Sequence, residues 1–305
     1  MIPKDARHSR PRSNDENGGE ENNGSVSPRG HDLEFNKRRD GGGNRDRYRH
    51  DASLPSELSI ERLPGKPLIV RREDHTISRK FIDPDALKVM RRLNQFGYRA
   101  FLVGGSVRDL LLGKTPKDFD IGTDARPETV RSIFRNSRII GRRFKLNQVF
   151  FGGNKNFEVS TFRDNLEPEA DSEAVLVTSD NVYGDPETDA FRRDLTINGL
   201  FYDLSSFSVI DYVGGLDDLH NGIVRVIGDP EVRFREDPVR MIRTIRHAAR
   251  TGFKIEDKSY KAIINCVPQI ELASEVRVLD ELLRELRGGV ARKSFELMIE
   301  TGLFD

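Results

Sequence analysis

The chain has no tryptophan, one cysteine and no excess of either charge. A single cysteine forms no intramolecular disulfide and builds no cysteine zinc site, so Cys266 reads as a small buried hydrophobe. The six histidines stand at positions 8, 32, 50, 75, 220 and 247, and no pair has metal-ligand spacing. His247, in an Arg-rich stretch, reads as a phosphate neighbour or a surface residue rather than a ligand. No apolar run reaches membrane length and no signal-peptide core stands out, so no membrane partner is expected and a reducing compartment is the default. The 50 basic and 50 acidic residues argue against a uniformly basic nucleic-acid binder but leave room for a local basic patch.

What is present divides unevenly. The 305 residues are enough for one or two domains with a real core. Residues 1–60 are Gly, Asn, Asp, Glu and Arg with almost no large apolar side chains, which predicts a disordered, charged tail. Its arginine clusters suit either RNA contact or solubilisation. From about Leu68 the pattern alternates between strand and helix. Strands are expected at Phe101–Val103, Phe119–Gly122, Arg138–Ile140, Asn147–Gly152 and Phe157–Phe162. Helices are expected at Ala86–Asn94, Ser106–Leu112 and Glu128–Arg135. The acidic stretch Asp164–Asp189 reads as a mobile loop. After it the spacing becomes helical: Asp194–Leu204, then Val232–Thr251, Lys258–Cys266, Val276–Leu286 and Ala291–Glu300, with a hairpin-like excursion at 211–227. The fold class is therefore α+β, a small mixed sheet with helices (68–204) followed by an all-helical part (205–305).

Chemistry concentrates in FLVGGSVRDLLLGKTPKDFDIGT, from Phe101 to Thr123. A buried strand, then Gly104 and Gly105, then a helix start form an anion site, because backbone N–H groups point outward and no Cβ blocks a phosphate. Asp118 and Asp120 lie two apart, so in a strand they share a face with Phe119 behind them. Paired carboxylates repel unless a cation lies between them, and Mg²⁺ takes oxygen ligands together with substrate phosphates. Alone, the glycine turn reads as an ordinary turn and the Asp pair as a solvated edge. Together on one strand–helix–strand unit they have the layout of a nucleotidyl-transfer site.

Three further clusters extend it. Arg192, Arg193 and Asp194 suit a triphosphate clamp or a charged helix cap. Glu236, Asp237 and Arg240 offer acceptors and a donor to a nucleobase edge, or else an i,i+3 salt bridge between Asp237 and Arg240. Arg243, Arg246 and Arg250 continue that side as a track for an RNA backbone. Arg142 and Arg143 lead into a strand at the rim. Glu158 is either a third acid near the metals or an edge-strand acid paired with Arg163.

With these motifs in order, the chain from about Ile69 onward resembles the bacterial poly(A) polymerase and tRNA nucleotidyltransferase family. This is the class II branch of the polymerase-β-like nucleotidyltransferases. Ile139–Val149 resembles the element that marks poly(A) polymerases rather than CCA-adding enzymes, and the lead-in Ile77-Ser78-Arg79-Lys80 with Ala86–Met90 has the same look. The resemblance implies a polymerase-β-like head followed by a helical neck and body. It implies template-independent addition of AMP from ATP to RNA 3′ ends, with pyrophosphate release and cytoplasmic location. CCA or A addition to tRNA, or an inactive RNA-binding role, are the alternatives. Asp118 and Asp120 would hold two Mg²⁺. Gly104, Gly105 and Arg108 would line the triphosphate pocket. Arg193 and Asp194 would contact sugar and phosphates, and Glu236, Asp237 and Arg240 would select the base. Arg142, Arg143, Arg243 and Arg246 would touch RNA. Family members carry more helical body beyond the position of Asp305, which implies a fragment or a short member with weak RNA hold. Gly199 departs from the Ala or Ser of relatives and would loosen its helix.

Overall fold

The computed structural model describes residues 66–141, 145–164 and 182–304. The tail to residue 60, Arg142, Arg143 and most of the acidic stretch after Asp164 lie outside them.

Helix starts follow their capping chemistry. α1 (Pro84–Gln95) opens with Asp83 accepting from the Asp85 N–H and with proline in the first turn. α4 (Pro186–Arg192) begins with a reciprocal capping box between Asp185 and Thr188. Its first turn, Pro186 to Asp189, lies inside the stretch expected to be loop. α2 (Gly105–Leu111) and α3 (Pro127–Ile133) complete the helices of the first half.

Eight strands form one sheet: β1 (Leu68–Val70), β2 (Ala100–Val103), β3 (Asp120–Thr123), β4 (Ser137–Ile140), β5 (Leu146–Phe151), β6 (Lys155–Thr161), β7 (Leu200–Asp203) and β8 (Ser208–Asp211). Their order is β1-β8-β7-β2-β3-β6-β5-β4, and only β3 with β6 is parallel. Alternation along β2 feeds two clusters. Ala100 and Leu102 join the main core, while Phe101 and Val103 pack with Phe162, Ala190 and Phe201 on the opposite face.

Asp194–Leu204 is not a helix. It is a short 3₁₀ turn, Thr196–Asn198, followed by strand β7 in the interior of the sheet. Leu200, Phe201 and Tyr202 are buried on both faces, which suits a β-run. Sheet formation continues past residue 204 with β8. Gly199 therefore loosens no helix. A Cβ there would come 2.5 Å from Val213 Cγ2, so the position is closed to side chains unless Val213 shifts.

The helical part contains α5 (Gly215–His220), α6 (Pro230–Glu236), α7 (Val239–Thr251), α8 (Asp257–Cys266), α9 (Glu275–Arg287) and α10 (Ala291–Glu300). A two-stranded parallel pair, β9 (Ile223–Val224) with β10 (Lys254–Ile255), lies among them. α5 replaces the hairpin expected there. The long helix expected over Val232–Thr251 breaks at Asp237-Pro238, where Asp237 is extended (φ −151°, ψ 92°). Proline lacks the N–H and excludes the helical region for the residue before it. α7 then ends at Gly252 in a left-handed cap (φ 81°). Its buried face, including Met241, Ile242 and Ile245, packs against α9 and α10.

Candidate active site

Asp120 opens β3 and Asp118 lies just before it, so only one of the pair is in a strand. Phe119 is half-buried and packs on the main core. In the parallel register Ile121 faces Val159, which sets Asp120 beside Glu158 on the same face. Glu158 belongs to an interior strand, not an edge. None of the three carboxylates has a hydrogen-bonding or ion-pair partner among the described residues. Asp120 is open to the cleft yet crowded by protein. Burial, then the charges of Glu158 and Asp118, push its carboxyl up to about 6 against the pull of Arg193.

The three acids line a cleft of about 550 Å³. Across it stand Arg246 and Arg250 of α7 and Arg284 and Arg287 of α9. Sequence reasoning had no role for Arg284 and Arg287. Their i,i+3 spacing at the end of the helix predicted over Val276–Leu286, with Arg287 one residue beyond it, was the available signal, but nothing in it said which face met the acids.

The glycine turn adjoins Asp120, because Val103, the residue before Gly104, is the cross-strand partner of Asp120. Gly104 has φ 72° and ψ −134°, a conformation open to glycine and strained for other residues. A Cβ on it would lie 3.1 Å from Arg193 Nη1, so the guanidinium of Arg193 lies directly over the turn. Arg193 donates to Asp189 Oδ2 (2.9 and 3.2 Å) and covers the Phe201 ring at 5.2 Å. Gly122 is equally constrained, since a Cβ would come 2.5 Å from Phe162 Cε1.

Arg108 is placed differently from the expectation. Its side chain is 1 % exposed and does not line the cleft. It donates to Asp109 Oδ1 through Nε and Nη2 (2.9 and 2.7 Å) and to Asn198 Oδ1 through Nη1 (2.7 Å). Asp109 Oδ2 in turn accepts from Arg250 (3.0 Å). Arg108 thus reaches the cleft only through Asp109 and Arg250. His247 is neither a surface residue nor a phosphate neighbour. It is buried between Arg108 and Asn198, and burial with four surrounding arginines holds its pKa well below the usual value.

The Arg-Arg-Asp motif is not at a helix start. Arg192 ends α4, Arg193 is extended, and Asp194 turns inward. Asp194 accepts from Arg240 Nε (3.0 Å) and Arg243 Nε (2.6 Å). Burial raises its pKa, but these two cations outweigh it and hold the carboxyl below the usual range. Asp237 and Arg240 form no salt bridge with each other: Asp237 accepts from Arg277 (2.7 Å), and Arg240 also donates to Glu236 (2.9 Å). Arg243 and Arg246 are drawn together by Glu281, at 3.4 and 3.0 Å.

Asp118 and Asp120 suit a hard divalent cation by donor type and by having no hydrogen-bonding or ion-pair partner among the described residues. No group of three or more His, Cys, Asp or Glu side chains among the described residues forms a ready-made metal cage. A carboxylate pair that leaves the other ligands to phosphate oxygens and water is the usual Mg²⁺ arrangement. No described helix is long and apolar enough to cross a membrane.

Comparison with known proteins adds to this geometry. Residues 100–225 match the family described as the poly A polymerase head domain. Residues 252–305 match a probable RNA- and SrmB-binding site of polymerase A. The chain is 46 % identical over 257 residues to poly(A) polymerase I of Escherichia coli O6:H1, covering 81 % of this chain and 55 % of that protein. It is 34 % identical over 223 residues to a CCA-adding enzyme of Bacillus pumilus, covering 72 % and 54 %. The structure of the Bacillus stearothermophilus CCA-adding enzyme in complex with CTP matches with TM-score 0.63 and 34 % identity, over 73 % of this chain and 53 % of that one. The chain thus spans about half the length of the curated relatives it matches.

Proposed function

Because this chain belongs to the class II nucleotidyltransferases of the poly(A) polymerase head-domain family, we propose that it adds AMP from ATP to RNA 3′ ends without a template. The observation that carries the reading is the unpaired acid cluster Asp118, Asp120 and Glu158. It adjoins a glycine turn and faces a wall of arginines. Such a site is electrostatically unfinished until a cation and a polyphosphate enter it.

Asp118 and Asp120 are the residues that would hold Mg²⁺. When bound, the metal lowers the pKa of the RNA 3′-hydroxyl and neutralises charge on the leaving pyrophosphate. The remaining roles fall to the chain itself. Gly104 and Gly105 let the triphosphate approach the backbone, and Arg193 holds it from above. Arg250, aimed by Asp109 and Arg108, faces the reacting groups from the opposite wall. Glu236, Asp237 and Arg240 read the base edge, with Asp194 setting the angle of Arg240. The helices from residue 205 onward hold RNA.

Higher identity to poly(A) polymerase I than to the CCA-adding enzyme favours poly(A) addition. Primer extension with Mg²⁺ and each single nucleotide tests it. Long ladders from ATP on oligo(A) are expected. Addition that stops after one to three nucleotides, and only on tRNA lacking its 3′ end, would overturn it in favour of CCA or A addition.

A further inference from the structure

The cleft does not end at the acids. Lys117, Asp118, Phe119 and Asn156 also line a second cavity of about 530 Å³ on the other side of Asp118. Lys80 lines this second cavity and also a third, again about 530 Å³, whose walls include Arg72, Arg79, Arg91 and Phe207. The first and second cavities thus share Lys117 among their walls, and the second and third share Lys80, so the three are neighbours in series.

The charge along this run changes sign. It begins at the acids. In the middle cavity Asp83 is neutralised by Lys155 at 2.6 Å, leaving Lys117 and Lys80 without ion pairs among the described residues. No carboxylate lines the far cavity, and the acidic residues of the nearby turn, Glu73 and Asp74, are not on its wall. Arg79, Lys80 and Arg91 have no ion pair among the described residues. Among the described residues Arg72 donates only to the His75 carbonyl. Arg79 lies over the Phe207 ring at 4.9 Å, which fixes its direction without neutralising it. This is unlike the four arginines of α7, Arg240, Arg243, Arg246 and Arg250, all of which are paired with carboxylates.

From this contrast we propose that the run is the exit track for the RNA strand behind its 3′ end, with Arg79, Lys80 and Arg91 as a remote phosphate-backbone clamp. The inference rests on the proposed polymerase reading. Its chemistry is independent of sequence, because unpaired cations grip the phosphates of any single strand. That is what an enzyme extending RNA of unspecified sequence requires. It also gives a purpose to Ile77-Ser78-Arg79-Lys80, a segment the catalytic reading leaves idle.

The test is Arg79→Ala/Arg91→Ala in the full chain, neither residue being part of the catalytic cleft. Binding of fluorescent oligo(A) is measured by anisotropy against salt, beside primer extension, with thermal unfolding checking the fold. For a long oligo(A), affinity should fall about tenfold and the salt slope should drop by about 1.4, or 0.7 per lost phosphate contact. Affinity for a trinucleotide and the KM for ATP should not move. Equal loss for short and long RNA, or no loss from a folded variant, would overturn the track, as would oligo(A) failing to bind the unaltered chain. A shifted ATP KM would instead mark a nucleotide or free-phosphate site and would also overturn it. RNA binding that depends on length and on Arg79 and Arg91, without any extension, would leave the track standing and remove the polymerase reading.

Discussion

Arg108 Nη1 lies 3.2 Å from the Nδ1 of His247, and both side chains are buried. A guanidinium is always a donor, so the ring nitrogen facing it accepts, and the imidazole is neutral. The His247 resonances should stay those of a neutral ring as the pH is lowered through 6.5, the ordinary histidine value, by NMR. Titration near the ordinary value of 6.5 would contradict the packing. Because its folded pKa is depressed, the contribution of His247 to stability is complete above that value and falls as pH drops below it.

Arg108→Lys keeps the charge and loses the fork. Lysine cannot reach Asp109 and Asn198 with the same geometry. A loss of about 3 kcal/mol in urea unfolding is expected, as for a broken buried ion pair. Transfer should fall further than stability explains, because Asp109 then holds Arg250 less firmly. Normal kinetics in the folded variant would contradict the route from Arg108 through Asp109 to the cleft.

Asp120 and Asp194 should give opposite pH responses in metal-free protein. The folded pKa of Asp120 is raised to about 6, so its ionisation opposes folding as pH rises from about 4 to 6. The folded pKa of Asp194 is lowered, so its contribution is present above the ordinary value near 4 and is lost as pH falls through the lower folded value. Asp120→Asn should therefore raise Tm at pH 7 without metal while removing transfer activity by orders of magnitude. Mg²⁺ should raise the Tm of the unaltered chain more than that of the variant. A lower metal-free Tm for Asp120→Asn would sink this account of the acid cluster.

Glu281 and Glu285 differ by one helical turn and should differ in consequence. Glu281 accepts from Arg246 at 3.0 Å and also meets Arg243. Glu285 is fully buried, its oxygens make no hydrogen bonds among the described residues, Arg246 Nε stands off at 3.7 Å, and burial raises its pKa. Glu281→Gln should cost about 2–3 kcal/mol by leaving buried arginines under-compensated, whereas Glu285→Gln should be near neutral. Chemical denaturation of both variants would decide it, and equal losses would contradict the assignment.

Gly104→Ala should lower stability by about 1–3 kcal/mol, because alanine resists φ 72°. It should also displace Arg193, the side chain 3.1 Å from the new methyl, and raise the KM for ATP. A folded variant with unchanged KM would separate Arg193 from the nucleotide.

The glycine turn, the acid pair and the order of strand and helix through residue 162 were legible because each rests on local chemistry. Pro127 and Asp83 start helices, and Gly104 follows a short apolar strand. What was not legible depends on distant partners. Residues 194–204 have helical spacing, but β2 and β8 supply hydrogen-bonding edges on both sides of Leu200–Asp203. The break at Asp237-Pro238 was legible in principle, since proline excludes the continuous helix. The site was half visible. Side chains near the motifs could be named, but which of them are spent on each other could not. Arg108 has the composition of a phosphate ligand and the surroundings of a buried strut. The use of Arg284 and Arg287 emerges only when α9 folds over the acids.

Asp194 joins two parts of the molecule that selection would otherwise tune separately. Its two oxygens take Arg240, the proposed base reader, and Arg243, which helps attach α9 through Glu281. A lineage drifting toward a different nucleotide cannot exchange Arg240 alone, because the replacement strands half of a largely buried carboxylate. Changes in base preference would therefore travel in company, with compensation at Asp194 or Glu236 in the same step. Single substitutions at Arg240 would disappear through instability before their altered chemistry could be tried.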